Sequence, residues 1–438
     1  MQTYTSYKPS NIEWIGEIPS HWRIIPLKYF SIITLGKMLT IDDKGGFVLK
    51  PYLRSQNIQN EKVDVSDVKQ MWFSERELQL YLLRKNDLLI NEGGDVGRTC
   101  IWNDELNECY IQNSVNRVSI INGLSQYFLY HSICHYFTGY YDSSVNRVSI
   151  PHLTKEKLQN ILFVLPPIQE QQAIVNYLDH KTALIDELII KKERKIELLK
   201  EQRSALINHV VTKGLNPDAP MKDSGIDWIG EIPEHWERKK IKQISKIISK
   251  GTTPSTVGRE LLDEGEVRYL KAENISDNKV MLFPSFFIDN ETDKILSRSK
   301  LLENDILVVI AGATLGKVAI LTKEFIPANT NQAVSFIRLK ENHNVKYIWY
   351  WLSSSILQQQ IWIDAVQSAQ PNLSMENLGN FCFTFPPLFE QKDIVKFLDN
   401  QTTIIDKSIE IETQKIEKLK EYRQSLISNV VTGKIKVF

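Results

Sequence analysis

The chain has 438 residues, of which 42 % are apolar, and its 53 basic and 53 acidic side chains give a formal net charge of zero. At roughly 100–200 residues per domain, this length predicts two to four domains, and the apolar content argues against disorder on the scale of a domain. The balanced charge argues against a simple electrostatic nucleic-acid binder, because such proteins usually have a clear basic excess.

The first 164 residues predict a mixed α/β domain. Short β-rich runs occur at residues 47–49 and 87–90, between turn signals, and a helical pattern covers Ser125–Phe137. The segment has 17 basic and 17 acidic residues. Any contact with an acidic partner must therefore use a local face, or partner subunits must supply much of the attraction.

Residues 165–214 predict a long helical segment. Pro166 and Pro167 can lie just before a helix or in its first turn, and neither Gly nor Pro recurs until Gly214. Leu, Ile, Lys and Glu, which helices favour or tolerate, are frequent between these limits. We expect residues 179–182 to divide the segment into a short helix and a long helix of roughly 45 Å.

The second half of the chain repeats this order. Residues 215–384, with 19 basic and 21 acidic side chains, contain a β-rich run at Ile306–Ile310 and a helical pattern at Val345–Ile361. Residues 385–438 predict another helix after a second Pro-Pro pair. The predicted fold class is therefore α+β, with two mixed α/β domains in pseudo-twofold tandem, separated by two long helices that form an antiparallel coiled coil.

Two sequence blocks recur at nearly constant offsets. The motif W-I-G-E-I-P-x-H-W begins at Trp14 and again at Trp228, an offset of 214 residues. The motif P-P-x-x-E-Q begins at Pro166 and again at Pro386, an offset of 220 residues. The stretches between the blocks match only in scattered places. One fold used on two different targets would give this pattern, and so would an old duplication without functional asymmetry.

A heptad-like apolar stripe runs along each predicted helix. The positions that we expect to form the helix-pair interface are Ile185, Ile189, Ile196, Leu199, Leu206, Val210, Ile405, Ile409, Ile416, Leu419, Leu426 and Val430. An antiparallel register in which facing positions sum to 615 places Arg203 against Glu412 and Lys192 against Arg423. A parallel pairing also keeps the stripes together, and each helix could instead pack only on its own globular domain.

Two glycine loops follow apolar strands, at Gly93–Arg98 and Gly312–Lys317. Their glycines are too close together for the phosphate-binding sequence G-x-x-x-x-G-K-[ST]. Each loop is either a tight turn that presents one basic side chain or a purely structural turn.

Amide and basic side chains cluster in the loops of both domains, and several occupy corresponding places. The candidates for DNA binding in the first domain are Arg54, Gln56, Asn57, Arg98, Gln112, Asn113, Asn116, Arg117, Asn146 and Arg147. The candidates in the second domain are Lys271, Asn274, Lys317, Asn331, Gln332, Gln367, Gln370 and Asn372. Arg suits guanine edges and Asn or Gln suits adenine edges in the major groove, although each residue alone could be an ordinary turn residue.

No catalytic or metal-binding motif is present in the sequence. It lacks H-E-x-x-H, a nucleophile elbow, a P-loop, a nuclease cluster and the methyltransferase sequence N-P-P-Y. Its four cysteines have no zinc-ligand spacing, and His21 and His235 beside the repeated prolines are interpreted as structural. Because no run approaches the roughly 18 apolar residues of a membrane span and residues 1–22 resemble no signal peptide, we expect a cytoplasmic protein.

These features together identify a family resemblance. The tandem W-I-G-E-I-P-x-H-W motifs, the P-P-x-x-E-Q motifs and the V-V-T sequences at 210–212 and 430–432 resemble the specificity subunits of type I restriction-modification systems. The resemblance covers nearly the full chain and implies four segments. They are target-recognition domain 1 (1–164), helical spacer 1 (165–214), target-recognition domain 2 (215–384) and helical spacer 2 (385–438).

The resemblance also implies partners and cofactors. Each target-recognition domain would read half of a split site in double-stranded DNA, and the helices would dock two methyltransferase subunits, which restriction subunits then join. S-adenosylmethionine, ATP and Mg would bind in those partners, and this chain would hold no cofactor. Two alternatives stay open, a recognition subunit whose partner fuses methylation and cleavage, and a coiled-coil scaffold that binds only protein.

Overall fold

The computed structural model describes residues 3–143, 152–365 and 371–438. Contacts divide the chain into unit 1, which comprises Met1–Glu193 and Thr413–Phe438, and unit 2, which comprises Arg194–Glu412. This division follows packing and cuts both long helices. The functional boundaries after residues 164, 214 and 384 separate helices from globular segments and stay predictions.

Unit 1 contains eleven described strands and four described short helices, followed by the first part of a long helix. The strands are β1 (Tyr7–Pro9), β2 (Glu17–Pro19), β3 (Arg23–Pro26), β4 (Ser31–Leu35), β5 (Val48–Leu53), β6 (Lys69–Phe73), β7 (Leu88–Asn91), β8 (Thr99–Ile101), β9 (Tyr110–Ile111), β10 (Val115–Ile120) and β11 (Leu162–Leu165). The helices are α1 (Glu75–Tyr81), α2 (Ser125–Phe137), α3 (Tyr140–Ser143), α4 (Lys155–Asn160) and the long α5 (Ile168–Lys213).

Unit 2 repeats this plan among its described residues. The strands are β12 (Met221–Asp223), β13 (Glu231–Pro233), β14 (Glu237–Lys240), β15 (Ser245–Lys250), β16 (Val267–Leu270), β17 (Ile275–Ser276), β18 (Lys279–Val280), β19 (Phe287–Ile288), β20 (Ile306–Val309), β21 (Val318–Ile320), β22 (Ala328–Thr330), β23 (Val334–Leu339) and β24 (Cys382–Phe385). The helices are α6 (Ile241–Ile244), α7 (Asn290–Ile295), α8 (Val345–Ser353), α9 (Ser355–Ala365), α10 (Met375–Asn380) and the long α11 (Leu388–Val431).

Each unit is built on two principal sheets of the same topology. The order is β4-β10-β7-β8 with β6-β5-β9 in unit 1, and β15-β23-β20-β21 with β19-β16-β22 in unit 2. The first sheet of each unit is antiparallel, whereas β5 pairs with β9, and β16 with β22, in parallel. The α+β fold class predicted from the sequence is confirmed.

Both long helices contribute to the hydrophobic cores. In unit 1, Ile174 and Leu178 of α5 and Leu426 of α11 are buried in the core that surrounds Trp22. In unit 2, Val210 of α5 and Leu398 of α11 are buried around Trp236. Each helix therefore packs on a globular domain as well as on the other helix, so the two arrangements considered from the sequence coexist.

The two repeated motifs contact each other. The indole Nε1 of Trp22 donates to Glu170 Oε2 at 2.8 Å, and His21 Nε2 lies 2.7 Å from Glu170 Oε1. In unit 2, Trp236 and His235 contact Glu390 at 2.8 and 2.6 Å. The first motif and the P-P-x-x-E-Q motif recur together because one donates the hydrogen bonds that the other accepts.

The predicted break in the first long helix is wrong, because α5 is continuous from Ile168 to Lys213. Asp179 and Thr182 stay helical and hold Tyr130, whose hydroxyl lies 2.7 Å from Asp179 Oδ1 and 3.4 Å from Thr182 Oγ1. The predicted helix at Ser125–Phe137 is confirmed as α2. The pattern at Val345–Ile361 forms two helices, α8 and α9, that Ser354 separates in an extended conformation.

Ion pairs confirm the antiparallel orientation of the helix pair, but the predicted register is wrong, and the assignment of the stripe to the helix-pair interface stays a prediction. All twelve stripe positions are buried or half-buried. In unit 2, Lys195 Nζ contacts Glu412 Oε1 at 2.9 Å and Arg203 Nε contacts Asp406 Oδ1 at 2.9 Å. In unit 1, Arg423 pairs with Asp186. Facing positions thus sum to between 607 and 609, about one heptad from the predicted register.

No helix in the described ranges combines the length and apolar character that crossing a membrane requires. Cys100, Cys109, Cys134 and Cys382 are free thiols.

Candidate nucleic-acid interface

Four loops of unit 1 meet at one edge of the two sheets. They comprise residues 36–38, 54–56, 92–94 and 112–114, which follow β4, β5, β7 and β9, and we call them loop cluster 1. The strands β4 and β7 both run antiparallel to β10, and β5 runs parallel to β9, so the carboxyl ends of each pair lie at the same edge. The topology therefore brings together loops that are far apart in the sequence.

Backbone hydrogen bonds fix loop cluster 1. Lys37 N donates to Ile111 O at 3.0 Å, and Asn113 N donates to Lys37 O at 2.9 Å. Ser114 joins the other two loops, because its carbonyl accepts from Glu92 N at 2.9 Å and its hydroxyl oxygen accepts from Ser55 N at 3.1 Å. Gln56, Gln112 and Asn113, three of the predicted DNA-binding residues, therefore belong to one surface.

Unit 2 has the corresponding loop cluster 2, formed by residues 251–253, 271–273, 310–312 and 331–333. Gly251 N donates to Asn331 O at 3.1 Å, and Asn331 N donates to Leu270 O at 3.3 Å. Thr253 contacts Gln332 through its hydroxyl, and Asn372 is bridged to Ala311. The cluster thereby groups the candidates Lys271, Asn331, Gln332 and Asn372.

A glycine starts each loop cluster because backbones approach closely there. A Cβ atom on Gly36 would collide with the carbonyl oxygen of Gln112, and one on Gly251 would collide with that of Thr330. Any side chain at these positions would therefore push the first loop away from the fourth.

Three predicted amides lie inside the protein and have structural roles. Asn57 and Asn274 are almost fully buried, and each accepts a backbone hydrogen bond from the residue three positions earlier. Their amide groups donate to backbone carbonyls ten residues further on, those of Asp67 and Pro284. Their recurrence in both domains reflects this shared loop geometry. Asn116 is also buried and donates to Leu153 O at 3.3 Å.

Three predicted arginines are engaged within unit 1. Arg54 contacts Asp67 at 2.6 Å, and Arg98 contacts Asp95 and, at 3.0 Å, Gln59 Oε1. Arg117 donates to the carbonyl of Leu82 and, at 3.2 Å, to Thr34 Oγ1. Burial lowers the pKa of Arg117, an effect that the nearby carboxylate of Asp87 opposes.

The remaining candidates differ in accessibility. Lys317 and Asn372 are exposed, whereas Lys271 is mostly covered and contacts Glu273 at 3.4 Å. Asn146 and Arg147, in the second copy of a repeated heptapeptide, and Gln367 and Gln370 lie outside the described residues.

Hydroxyl groups in both loop clusters were missed by sequence reasoning. Ser55 and Ser114 belong to cluster 1, and Thr252 and Thr253 belong to cluster 2. Ser and Thr hydroxyls can donate to or accept from base edges, so they extend the chemistry of the amides. The only signal for them in the sequence is that Ser55 lies close to the Tyr-Leu pair at 52–53, which recurs at 269–270, and that Thr252 and Thr253 follow Gly251.

The two clusters differ in charge. Burial raises the pKa of Glu92 in cluster 1, an effect that His152 opposes, whereas the corresponding loop of cluster 2 has Ala311. Lys271 of cluster 2 and the corresponding Arg54 of cluster 1 each contact a carboxylate, that of Glu273 and that of Asp67. Equivalent frames thus present different hydrogen-bonding groups, as two surfaces for different targets would.

The sequence is similar to a known family over most of its length. The model of the type I restriction modification DNA specificity domain matches residues 20–199 and 233–421. The specificity subunit of type I restriction enzyme MjaVIII from Methanocaldococcus jannaschii is 24 % identical over 98 % of this chain and 97 % of its own length. The EcoBI specificity subunit from Escherichia coli is 26 % identical over 81 % of this chain and 75 % of its own.

Two solved structures share the fold. A chain from a study of complex assembly and conformational transition of the type I R-M system superimposes with a TM-score of 0.72 at 14 % identity, over 95 % of this chain and 99 % of that one. The HsdS subunit from Thermoanaerobacter tengcongensis gives a TM-score of 0.54 at 16 % identity, over 95 % and 98 %.

Proposed function

The chain belongs to the type I restriction modification DNA specificity family, and on that premise we propose that each loop cluster reads one half of a bipartite DNA target. The observation that carries this proposal is the duplication of one loop frame with different side chains. Amide, hydroxyl and ammonium groups gathered on one edge suit the donor and acceptor pattern of the major groove. Two such edges in one chain suit a target in two parts.

The long helices are the proposed docking surface for two methyltransferase subunits, to which restriction subunits would add. Beside the buried stripe, each helix has large apolar side chains that are exposed, including Leu184, Leu188 and Leu198 in α5 and Ile404 and Ile411 in α11. Exposed apolar side chains grouped along a helix are typical of protein-binding surfaces. Leu184 and Ile404 occupy corresponding places in the two repeats, which suits two copies of the same partner.

The isolated chain is proposed to be a recognition subunit without catalysis of its own. Its curated relatives are named as specificity subunits. S-adenosylmethionine would then act in the methyltransferase partner, and ATP and Mg in the restriction partner.

Substitution of the exposed helix residues tests the docking proposal. Leu184→Glu and Ile404→Glu should each reduce the recovery of methyltransferase with the chain, and the double variant should abolish it. Glu201→Lys and Glu421→Lys, which change exposed charged positions of the same helices, are the matched controls. If the double variant still recovered two methyltransferase subunits, the exposed stripe would not be their docking surface.

Selection from random duplex DNA tests the reading proposal. The chain assembled with its methyltransferase should retain duplexes that share two short sequence blocks around an unread centre. Gln56→Ala with Gln112→Ala should relax only one block, at roughly 1–3 kcal/mol per lost base contact. Retention without any shared sequence would contradict the proposal.

A further inference from the structure

An ion-pair network joins the recognition domain of unit 1 to the helix α11. The guanidinium of Arg423 contacts both carboxylate oxygens of Glu61 at 2.6 Å. It also contacts Asp186 of α5, with Nε at 2.9 Å from Oδ1 and Nη2 at 3.1 Å from Oδ2. We call these three residues the Arg423 network. Bidentate contacts of this kind fix orientation as well as distance.

Two members of the network, Arg423 and Glu61, are largely sheltered from solvent, whereas Asp186 is half-exposed. The Arg423 side chain is 14 % exposed and that of Glu61 is 30 % exposed. Burial alone would lower the pKa of Arg423, but the hydrogen bonds and charges of Glu61 and Asp186 raise it above its usual value. Removal of Glu61 would therefore leave a half-buried cation with one carboxylate partner where it now has two.

Glu61 lies in a turn that is connected to loop cluster 1. Its backbone N–H donates to Thr99 O at 2.9 Å, and Gln59 in the same turn accepts from Arg98 Nη1 at 3.0 Å. Arg98 ends the glycine loop that starts at Gly93 and also contacts Asp95 of that loop. A short series of contacts therefore leads from α11 through the turn at 59–62 to a loop of the candidate DNA interface.

Unit 2 has a corresponding turn in which the acid, Asp277, stands one position earlier, at the place of Asn60. Asn278 occupies the place of Glu61, and both residues have a positive φ, of 59° and 71°. The counterpart of Arg423 is Arg203, which within the described residues pairs with Asp406 and with no carboxylate of the turn. A cleft of about 920 Å³ is lined by Arg203, Asp277, Asn278 and Lys279. The contact that joins turn to helix in unit 1 is thus replaced by open space in unit 2.

We propose that Glu61 and Arg423 are positioning residues that hold loop cluster 1 in a fixed orientation on the helices, and that Asn278 leaves the corresponding turn of unit 2 without this tether to a helix. The inference rests on the proposed function, since the orientation of a loop cluster matters for DNA recognition only if the cluster reads DNA. Loop cluster 1 would then contact its half of the target in a fixed orientation, and loop cluster 2 could adjust its orientation to the other half.

Hydrogen exchange of the full-length chain without DNA tests the structural part. Glu61→Asn should accelerate exchange of the amides at 59–62 by about tenfold or more, because this is the change in opening equilibrium expected when a hydrogen bond to a charged group is lost. Asn278→Glu should slow exchange at 277–280 because the new carboxylate faces Arg203. Glu75→Asn, at an exposed position of the same domain, is the control and should leave both turns unchanged. Unchanged exchange in either turn variant would overturn the inference. Glu61→Asn could also accelerate exchange evenly over the whole of unit 1, and this result would overturn the inference because the network would then stabilise the unit in general.

Gap discrimination tests the functional part in the complex with methyltransferase. Methylation is compared on duplexes that carry the mapped target and on duplexes whose unread gap is one base pair longer or shorter. Glu61→Asn should reduce the preference for the native gap by about fivefold or more. About fivefold is the lower end of the change in affinity that coupling between two sites typically produces. Asn278→Glu should increase the preference. An unchanged preference with altered exchange at 59–62 would overturn the positioning role. Complete absence of sequence-selective methylation by the unsubstituted complex would instead contradict the proposed function, and the exchange result would still decide whether the network holds the turn.

Discussion

Two glutamates explain why short motifs recur in this chain. Glu170 accepts hydrogen bonds from the fully buried indole of Trp22 and from Tyr4, the latter at 3.2 Å. Its neighbour Gln171 accepts from Leu124 N and donates to Pro166 O, which ties α2 to the start of α5. In unit 2, Glu390 accepts from Trp236, and Gln391 accepts from Asn344 N and donates to Pro386 O. Polar residues of the repeat are retained as partners of buried donors.

Replacement of Glu170 tests this role. Glu170→Ala leaves the buried indole N–H of Trp22 without its acceptor and should destabilise unit 1 by about 1–3 kcal/mol. Urea unfolding followed by pulsed hydrogen exchange would measure each unit separately. Glu187→Ala, an exposed residue on the same helix that pairs with Lys191, should have no measurable effect. Equal effects of the two substitutions would refute the role assigned to Glu170.

Two buried histidines should make the stability of unit 1 depend on pH. Burial lowers the pKa of His131 to about 3 and that of His135 well below its usual value. Both rings are then neutral in the folded chain and take up protons on unfolding below about pH 6.5. Their contribution is fully present above that pH and is lost as the pH falls towards the folded pKa, by roughly 1 kcal/mol per pH unit for each ring.

Urea titrations of unit 1 at pH 7 and pH 5 would measure this loss. The double variant His131→Gln with His135→Gln should remove most of the difference between the two pH values. Unit 2 has Trp351 and Ser355 at the corresponding places and should change less, with a smaller loss from His343, whose pKa burial also lowers. The same pH dependence in the double variant would show that other groups cause it.

Residue type alone could not separate the exposed candidate amides from the buried structural ones. Asn57 and Gln56 are neighbours of similar chemistry, yet Asn57 is buried and Gln56 is exposed. The match between Asn57 and Asn274 in the two domains favoured Asn57 as a DNA-binding residue. That match instead reflects a shared loop geometry, in which each side chain accepts a backbone hydrogen bond. The burial of each side chain depends on tertiary packing, which no local sequence pattern records.

At the scale of elements, the sequence predicted the helix pair but not its register. The apolar stripe is nearly palindromic and repeats every heptad, so some apolar pairs survive a shift by one heptad, such as Ile189 against Leu419 and Leu199 against Ile409. The register is marked by ion pairs just outside the stripe, in which Asp406 and Asp186 accept from Arg203 and Arg423. The predicted helix break was wrong because it also depended on a contact between residues far apart in the sequence. The hydroxyl of Tyr130 donates to Asp179, which stays within a continuous helix.

Cysteine cross-linking tests the register within unit 2. Leu199→Cys with Ile409→Cys, whose positions sum to 608, should form a disulfide readily under mild oxidation. Leu199→Cys with Ile416→Cys, which the register predicted from the sequence would favour, should not. The native cysteines at 100, 109 and 134 are buried and should contribute little background. Efficient cross-linking of the second pair would contradict the register described above.

At the scale of the whole molecule, the duplication provides two units with the same sheet topology. Each unit has its own pair of sheets, its own loop cluster and its own core, and each core includes parts of both long helices. Side chains in one loop cluster can therefore change without disturbing the other. In the proposed function, this independence would allow each loop cluster to read its own half-site.

Exchange of the first globular segment tests this central claim most directly. Residues 1–164 would be replaced by the equivalent segment of a family member with a different target, with retention of α5 and α11. Methylation-site mapping of genomic DNA with the assembled complex should show one half of the target changed, and the other half and the gap preserved. A hybrid that altered both halves together would contradict independent reading by the two loop clusters.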